Sequence, residues 1–226
     1  YVRADSTQLS GGASFFWPRT PEYTPLEVEF GLGTSSEPVR ITEYMYKGDG
    51  GEFFEITNMG NSSISLSGWS IDDKSGNPGT VALSGNIAAG QSKVITESDS
   101  FFFALDWGIP GSLVLDMGDN SLLGRNDTIY LFDGNGDVVD KLSHGDEDFV
   151  GSVRTDSVSA TGCSSALGTN NPFAWILASD GDALGSFTAG NGLDVGSPGI
   201  YIAPTTGCSS GAVGTPFCFG DGSGTP

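Results

Sequence analysis

The sequence predicts an all-β protein. Of its 226 residues, 35 are glycine and 11 are proline, and such frequent turn formers favour many short strands. Short apolar runs alternate with polar residues along the chain, whereas no window shows a sustained apolar stripe of helical period. The length is sufficient for one sizeable hydrophobic core or two small ones.

The clearest strand pattern lies in residues 52–73. Its first part carries Phe53, Phe54 and Ile56, and its later part alternates apolar residues with serines. A period of two is typical of strands with one buried face. Residues 58–62 between the two parts contain Gly and Asn, which tolerate positive φ. The stretch is therefore predicted to form a β-hairpin or two neighbouring strands, with Trp69 as the largest core anchor.

Two motifs in this stretch resemble the signature of lamin tail domains, namely Glu-Ile-Thr-Asn at residues 55–58 and Leu-Ser-Gly-Trp-Ser-Ile-Asp at residues 66–72. Further matches follow in the order of that family: Ile87-Ala88-Ala89-Gly90-Gln91, Val138-Val139-Asp140, Gly151-Ser152-Val153-Arg154 with its Arg one position early, Trp175, and Gly196-Ser197-Pro198-Gly199. The resemblance implies an immunoglobulin-like β-sandwich, as in nuclear lamins and in secreted bacterial or archaeal proteins. It divides the chain into an N-terminal extension (1–37), the sandwich (38–200) and a Gly-, Ser- and Pro-rich tail (201–226).

The N-terminal extension contains an amphipathic strand at residues 26–32. Glu or Gly separates its apolar residues, which are Leu26, Val28, Phe30 and Leu32. The resemblance does not account for this strand. It is interpreted either as an extra edge strand on its own sandwich or as a strand that completes a sheet in a neighbouring molecule. Upstream, Phe15, Phe16 and Trp17 precede Pro18 and form an apolar cluster that requires burial.

The remaining elements follow from the same patterns. The resemblance implies strands at residues 39–46 and 92–96. Strands are also predicted at residues 80–83 and 113–117, and residues 101–107 are predicted to form either one or two helical turns or a buried strand. Residues 126–142 contain two apolar runs around Asp133-Gly134-Asn135-Gly136, a tight-turn sequence that hairpins prefer. Residues 157–172 are rich in Ser, Gly and Asn, which predicts a loop insertion.

The chain is strongly acidic, with 9 basic and 28 acidic residues and a formal net charge of −19. Nucleic-acid binding draws its affinity from basic contacts, so neither DNA nor RNA is an expected partner. An anionic membrane surface is disfavoured for the same reason, and the absence of an 18-residue apolar run predicts no membrane insertion. The chain starts at Tyr1 without a signal-peptide pattern, so we expect a secreted or cell-surface protein whose targeting segment has been removed.

Three cysteines, Cys163, Cys208 and Cys218, lie in the last third of the chain. None belongs to a Cys-x-x-Cys pair, and His144 is the only histidine, so a zinc site is not expected. One disulfide is expected in an oxidising compartment. Cys208 with Cys218 would close a short loop, and Cys163 with Cys208 would tie the tail to the sandwich; the sequence leaves both pairings open.

Candidate chemistry is sparse. His144 is expected in a loop, and because no Gly-x-Ser-x-Gly elbow, P-loop or dinucleotide motif accompanies it, neither a catalytic residue nor an organic cofactor is predicted. Asp133, Asn135 and Asp137 space oxygen ligands as the start of an EF-hand calcium loop does, but the twelfth position is His144 rather than Glu, which favours a hairpin turn. Asn61 and Asn126 begin glycosylation sequons.

Together these observations predict a non-enzymatic extracellular structural or interaction protein. Insertion of residues 26–32 into the sheet of the next subunit would give a head-to-tail, pilus-like filament. One alternative is a calcium-stabilised adhesion module that contacts extracellular proteins or glycans, suggested by the acidic loops and by Trp17, Trp107 and Trp175. Another is an accessory domain of a secreted hydrolase, suggested only by the proteins to which bacterial relatives are appended.

Overall fold

A computed structural model describes residues 35–117 and 123–208, which form fourteen strands and one α-helix. The strands in chain order are β1 Val39–Met45, β2 Phe53–Asn58, β3 Ile64–Ser65, β4 Ser70–Asp72, β5 Val81–Ala82, β6 Asn86–Ile87, β7 Ser92–Thr96, β8 Val114–Asp116, β9 Asp127–Phe132, β10 Val138–His144, β11 Ala160–Gly162, β12 Trp175–Leu177, β13 Phe187–Thr188 and β14 Val195–Gly196. Helix α1 spans Ser100–Asp106, and a 3-10 turn covers Gly111–Leu113. The predicted all-β class is confirmed. The strand predicted at residues 26–32 and Cys218 lie outside the described residues.

Two sheets form the main layers. The six-stranded sheet has the order β12-β11-β1-β2-β7-β8 and is antiparallel except between β7 and β8. The four-stranded sheet has the order β10-β9-β4-β5 and is antiparallel throughout. Two short ladders, β3 with β6 and β13 with β14, complete the described strands.

The larger hydrophobic cluster joins the two main sheets. Ile41 and Ile56 of the six-stranded sheet belong to it together with Ile71 and Leu131 of the four-stranded sheet. Side chains alternate along a strand, so each sheet contributes one face to this core. Trp69 lies in the same cluster and is buried, as the sequence predicted.

The opposite face of the six-stranded sheet is also covered. A second cluster joins Met45, Phe53 and Val94 on the sheet to Phe103 of α1 and to Trp107, the residue that caps the helix. The ring of Phe53 lies 5.5 Å from that of Phe103 and 5.7 Å from that of Trp107, measured between centroids. Every residue of β2 is buried, including Glu55 and Thr57, which alternate with Phe54 and Ile56.

The prediction that residues 52–73 form a β-hairpin or two neighbouring strands is wrong in both alternatives. β2 pairs with β1 and β7, whereas β4 pairs with β5 and β9 in the other sheet, so the chain crosses between layers after β2. Asn58 directs this crossing because its side-chain amide donates to the carbonyls of Ser62 and Ile87. Its backbone also exchanges hydrogen bonds with Gly90 and Gln91, which holds β2 beside β7 rather than β4.

Other sequence predictions have mixed outcomes. The strand at residues 92–96 is confirmed as β7, and residues 126–142 form the predicted hairpin, β9 with β10. Residues 101–107 are mainly helical, because the Asp99 side chain accepts the first free amides of α1. Residues 157–172 are not a loop throughout, since β11 within them joins β1 to β12. The Ala-Thr-Gly sequence of β11 shows no apolar alternation, which is why the pattern missed it.

Candidate interaction site

Among the described residues, strand β12 forms one edge of the six-stranded sheet and has no partner strand on its outer side. On its inner side β12 pairs with β11, and just beyond the strand the Ala178 amide donates to the Ser159 carbonyl at 2.9 Å. Because backbone groups alternate along a strand, the N–H and C=O groups of Trp175 and Leu177 point away from β11. Among the described residues, no strand or side chain pairs with these four backbone groups. This row of backbone groups is called the β12 edge below.

The other described edges differ from the β12 edge. On β10 the outward amides of Lys141 and Ser143 donate to the side chains of Asp140 and Asn170, at 2.8 and 2.6 Å. β5 has only two residues, and β8 adjoins residues 118–122, which the structure does not describe. Side-chain capping and short length are common protections against unwanted strand pairing. The β12 edge carries neither the side-chain caps of β10 nor the two-residue length of β5.

Exposed apolar side chains lie beside the β12 edge. Leu177 is 41% exposed, and Phe173, two residues before β12, is 50% exposed. The Phe173 ring lies 6.3 Å from the ring of Phe149, whose neighbour Val150 is also exposed. Trp175, by contrast, is buried and anchors the strand in the core. A strand added to this edge would cover apolar surface that water now reaches.

A disulfide holds the following chain segment against β12. Cys163 and Cys208 are bonded, with Cα atoms 5.7 Å apart, so this pairing is the one that forms. The Tyr201 hydroxyl donates to a β11 carbonyl at 3.0 Å. Gly207 approaches Ile176 so closely that an added Cβ would lie 2.9 Å from its Cδ1. The segment therefore covers a face of β12 and leaves its edge open.

The candidate calcium loop forms the turn of the β9–β10 hairpin. One carboxylate oxygen of Asp133 accepts the backbone amides of Asn135 and Asp137, at 2.8 and 3.1 Å. This oxygen therefore already caps the turn. Within the described parts of the chain, no group of three or more His, Cys, Asp or Glu side chains is arranged to hold a metal ion. Calcium binding at this loop stays a prediction.

His144 does not lie in a loop, as the sequence suggested, but ends strand β10 in the core. Its ring lies 4.8 Å from that of Tyr44, and neither ring nitrogen has a hydrogen-bond partner among the described residues. Burial lowers the pKa of His144 to about 4, so the imidazole is neutral at pH 7. The histidine is a packing residue of the sandwich.

The two sequon asparagines differ in accessibility. Asn61 lies exposed in the turn that follows β2. Asn126 is engaged instead, because its side chain donates to the Glu147 carboxylate and accepts the Glu147 amide. Only the first sequon therefore presents a free asparagine side chain.

Two buried carboxyl groups were not singled out from the sequence. Glu43 on β1 and Glu55 on β2 are directly opposite each other in the ladder, and both are almost completely buried. Burial raises the pKa of Glu43, and burial followed by repulsion from Glu43 raises that of Glu55. No local signal was available, because Glu55 and Thr57 alternate with Phe54 and Ile56, a pattern typical of a strand with one solvent-exposed polar face.

This acid pair holds a segment from the C-terminal part of the chain. Glu43 accepts the Ser197 amide at 2.7 Å and the hydroxyl of Ser159. Glu55 accepts the Gly199 amide at 2.8 Å and the Thr42 hydroxyl at 2.7 Å. The segment around residues 197–199 therefore covers the polar half of the sheet's outer face, whereas α1 covers the apolar half.

Helix α1 also carries apolar side chains on its solvent face, which sequence reasoning did not identify. Phe101, Phe102 and Leu105 are between 66% and 69% exposed, and they are called the α1 ridge below. The helix is anchored from the other side by Phe103 and Trp107. A surface helix with apolar residues on both faces is unusual, since one face normally carries polar residues.

A family model described as Lamin Tail Domain matches residues 33–146. The match includes β1 through β10 and ends before β11 and β12. No curated protein matches the chain. None of the helices in the described residues is long and apolar enough to cross a membrane.

Proposed function

Because this chain belongs to the lamin tail domain family, whose immunoglobulin-like domain is involved in protein interactions, we propose that it is a non-enzymatic subunit of an extracellular fibre. Each subunit donates residues 26–32 to the β12 edge of the next subunit. The observation that carries this proposal is the β12 edge itself, a row of unpaired backbone groups flanked by exposed apolar side chains. The Cys163–Cys208 disulfide supports an oxidising compartment outside the cytosol.

Strand addition gives affinity and specificity by different routes. The donor backbone forms ladder hydrogen bonds with Trp175 and Leu177, and its apolar face packs against exposed Leu177 and Phe173. The donor segment and the acceptor edge are different surfaces of the same chain, so every added subunit presents a new edge. Such a head-to-tail contact yields an open filament unless its rotation closes a ring.

A mixing experiment with two full-length variants tests this assembly. Val28→Asp places a charge on the donor's apolar face, and Leu177→Asp places one beside the acceptor edge. Each variant alone is expected to be monomeric by light scattering, whereas the unmodified chain forms fibres visible by electron microscopy. Mixed together, the variants retain one working donor and one working edge, so they form a species of twice the 23.3 kDa chain mass and nothing longer.

The matched control is Val81→Asp on β5, the short edge of the other sheet. This variant is expected to assemble as the unmodified chain does. Fibres formed by Leu177→Asp alone, or a mixture that stays monomeric while the unmodified chain polymerises, would exclude the β12 edge as the acceptor. An unmodified chain that remains monomeric at every concentration would exclude the fibre.

A further inference from the structure

The α1 ridge stands between two grooves. Phe102 and Leu105 line a groove of about 540 Å³, together with Asp49 and Asp106. Phe101 and Leu105 line a second groove of about 330 Å³, whose other lining residues are Ala104, Gly108, Ile109 and Gly111. Leu105 therefore belongs to both, and a ligand on the ridge can place apolar groups on either side of it.

The backbone that carries the ridge is held at both the first turn and the buried side of α1. Asp99 accepts the amides of Phe101 and Phe102 at 3.0 and 3.1 Å, which fixes the first turn of α1. On the buried side, the Trp107 ring packs edge-on against Phe187 at 5.6 Å between centroids. A preorganised apolar surface of this kind loses little conformational entropy when a partner docks.

The charge around the ridge specifies its partner further. The larger groove contains two carboxylates, Asp49 and Asp106, and no basic residue lines either groove. One Asp106 oxygen is buried and has no hydrogen-bond partner among the described residues, so this carboxylate is only incompletely paired. A fitting ligand therefore combines aromatic or aliphatic groups with a cation, and a guanidinium suits a carboxylate best because it offers paired donors.

The chain itself contains a segment of this chemistry. Residues 15–19 read Phe-Phe-Trp-Pro-Arg, with three adjacent aromatic side chains and one cation in a chain that has only 9 basic residues. We propose that residues 15–19 of a second copy of this chain bind the α1 ridge, with Arg19 directed to Asp106 and Asp49. This contact rests on the self-association proposed above and adds a second joint to it.

A binding assay with a defined probe tests the contact. The probe is a fluorescent peptide of residues 12–22. The receptor is the full-length chain with Phe15→Ser, Phe16→Ser and Trp17→Ser, so that it cannot supply the segment itself. We expect saturable binding with a Kd of about 10–100 µM, as is usual for small transient contacts. Adding Phe102→Ser and Leu105→Ser to the receptor should weaken binding by about tenfold or more, as loss of central apolar anchors does.

Matched controls separate charge, site and assembly. An Arg19→Glu peptide should bind several-fold more weakly, and an Asp148→Asn receptor, which removes an exposed charge elsewhere, should bind as the parent receptor does. Leu177→Asp should leave peptide binding unchanged, so failure of strand addition does not obscure the result. Equal affinity for the receptor with and without the ridge substitutions, or no saturation at about 1 mM peptide, would overturn the proposal. Thermal melts of both receptors verify that these exposed substitutions leave the fold intact.

Discussion

Glu55→Gln is expected to make folding less sensitive to rising pH. Glu55 is buried beside Glu43, and burial followed by repulsion from Glu43 raises the pKa of Glu55 from 4.5 to about 8. The folded protein therefore keeps a proton on this group at neutral pH, whereas the unfolded chain has lost it. The pKa of Glu55 is higher in the folded protein than in the unfolded chain. Its contribution to the stability of the folded state is therefore fully present below the unfolded-state pKa and is lost as the pH rises through the folded-state pKa.

The magnitude follows from the number of protons retained. One extra proton in the folded state changes the free energy of unfolding by about −1.4 kcal/mol for each pH unit. Because the folded-state pKa is about 8, the group is half deprotonated at pH 8, so the unmodified protein should lose about 1.6 kcal/mol between pH 6.5 and pH 8 through this group alone. Glutamine fits the site because its carbonyl oxygen can accept a hydrogen bond from the Gly199 amide. Its side-chain amide can donate to the Thr42 hydroxyl, since a hydroxyl oxygen can accept as well as donate.

The pH window avoids the opposing effect of His144. Burial lowers the pKa of His144 to about 4, so its contribution to stability is lost as the pH falls below 6.5 and is constant above it. Glu52 also has a pKa raised by burial, to about 7, but this group is present in both proteins and cancels in the comparison. Glu43, whose pKa burial raises to about 7, also titrates in this window and lies directly opposite Glu55. The difference between the two profiles above pH 6.5 therefore reports the protons held by this acid pair.

Urea unfolding followed by tryptophan fluorescence at several pH values between 6.5 and 8 measures the effect. The free energy of unfolding of the unmodified protein should fall more steeply than that of Glu55→Gln, by about 1.4 kcal/mol per pH unit near pH 6.5 and by about half of that at pH 8. Asp148→Asn replaces an exposed carboxylate, so its free energy of unfolding should depend on pH as that of the unmodified protein does. Parallel profiles for the unmodified protein and Glu55→Gln would refute the retained proton.

Three further predictions concern single features of the fold. Replacing Cys163 and Cys208 together by Ser opens a loop with a sequence separation of 45, which should lower the free energy of unfolding by about 4 kcal/mol in urea titrations; an unchanged midpoint would contradict this. Asp99→Ala removes the α1 cap and should cost about 1 kcal/mol in the same assay. Asp133→Ala removes the acceptor of two turn amides and should cost about 1–2 kcal/mol in chelator and in calcium alike. A calcium-dependent rise in the melting temperature of the unmodified protein that Asp133→Ala abolishes would instead establish the loop as a calcium site.

Local chemistry was sufficient to predict some elements from the sequence. The β9–β10 hairpin was predicted because its turn contains Gly136, which adopts a φ of 83° and donates to the Asp133 carbonyl three residues earlier. The strand at residues 92–96 was predicted from the resemblance of residues 87–91 to the turn that precedes a strand in lamin tail domains. In both cases the signal lies within a few positions of the element that it predicts.

Long-range contacts decide the features that the sequence did not reveal. The crossing of the chain to the other sheet after β2 depends on the hydrogen bond from the Asn58 side chain to the carbonyl of Ile87, 29 positions away. The burial of Glu55 depends on Gly199, 144 positions away. The β12 edge is defined by an absence of pairing, which no local pattern encodes. The exposure of the α1 ridge was not predicted, because a run of aromatic residues is typical of a buried core in helices and strands alike.

The acid pair and the disulfide together explain how the β12 edge can be open and yet ordered. Without the Ser197 and Gly199 amides, Glu43 and Glu55 would lose hydrogen-bond donors at buried carboxyl groups, at a cost of about 1–3 kcal/mol for each unsatisfied group. The segment that carries these amides continues to Cys208, which is bonded to Cys163 next to β11. The chain beyond the family match is thus fixed at two points across the sheet, and β12 is held in a defined position at its margin. An edge that is held in place before binding loses little conformational entropy when a strand is added to it, and this favours strand addition.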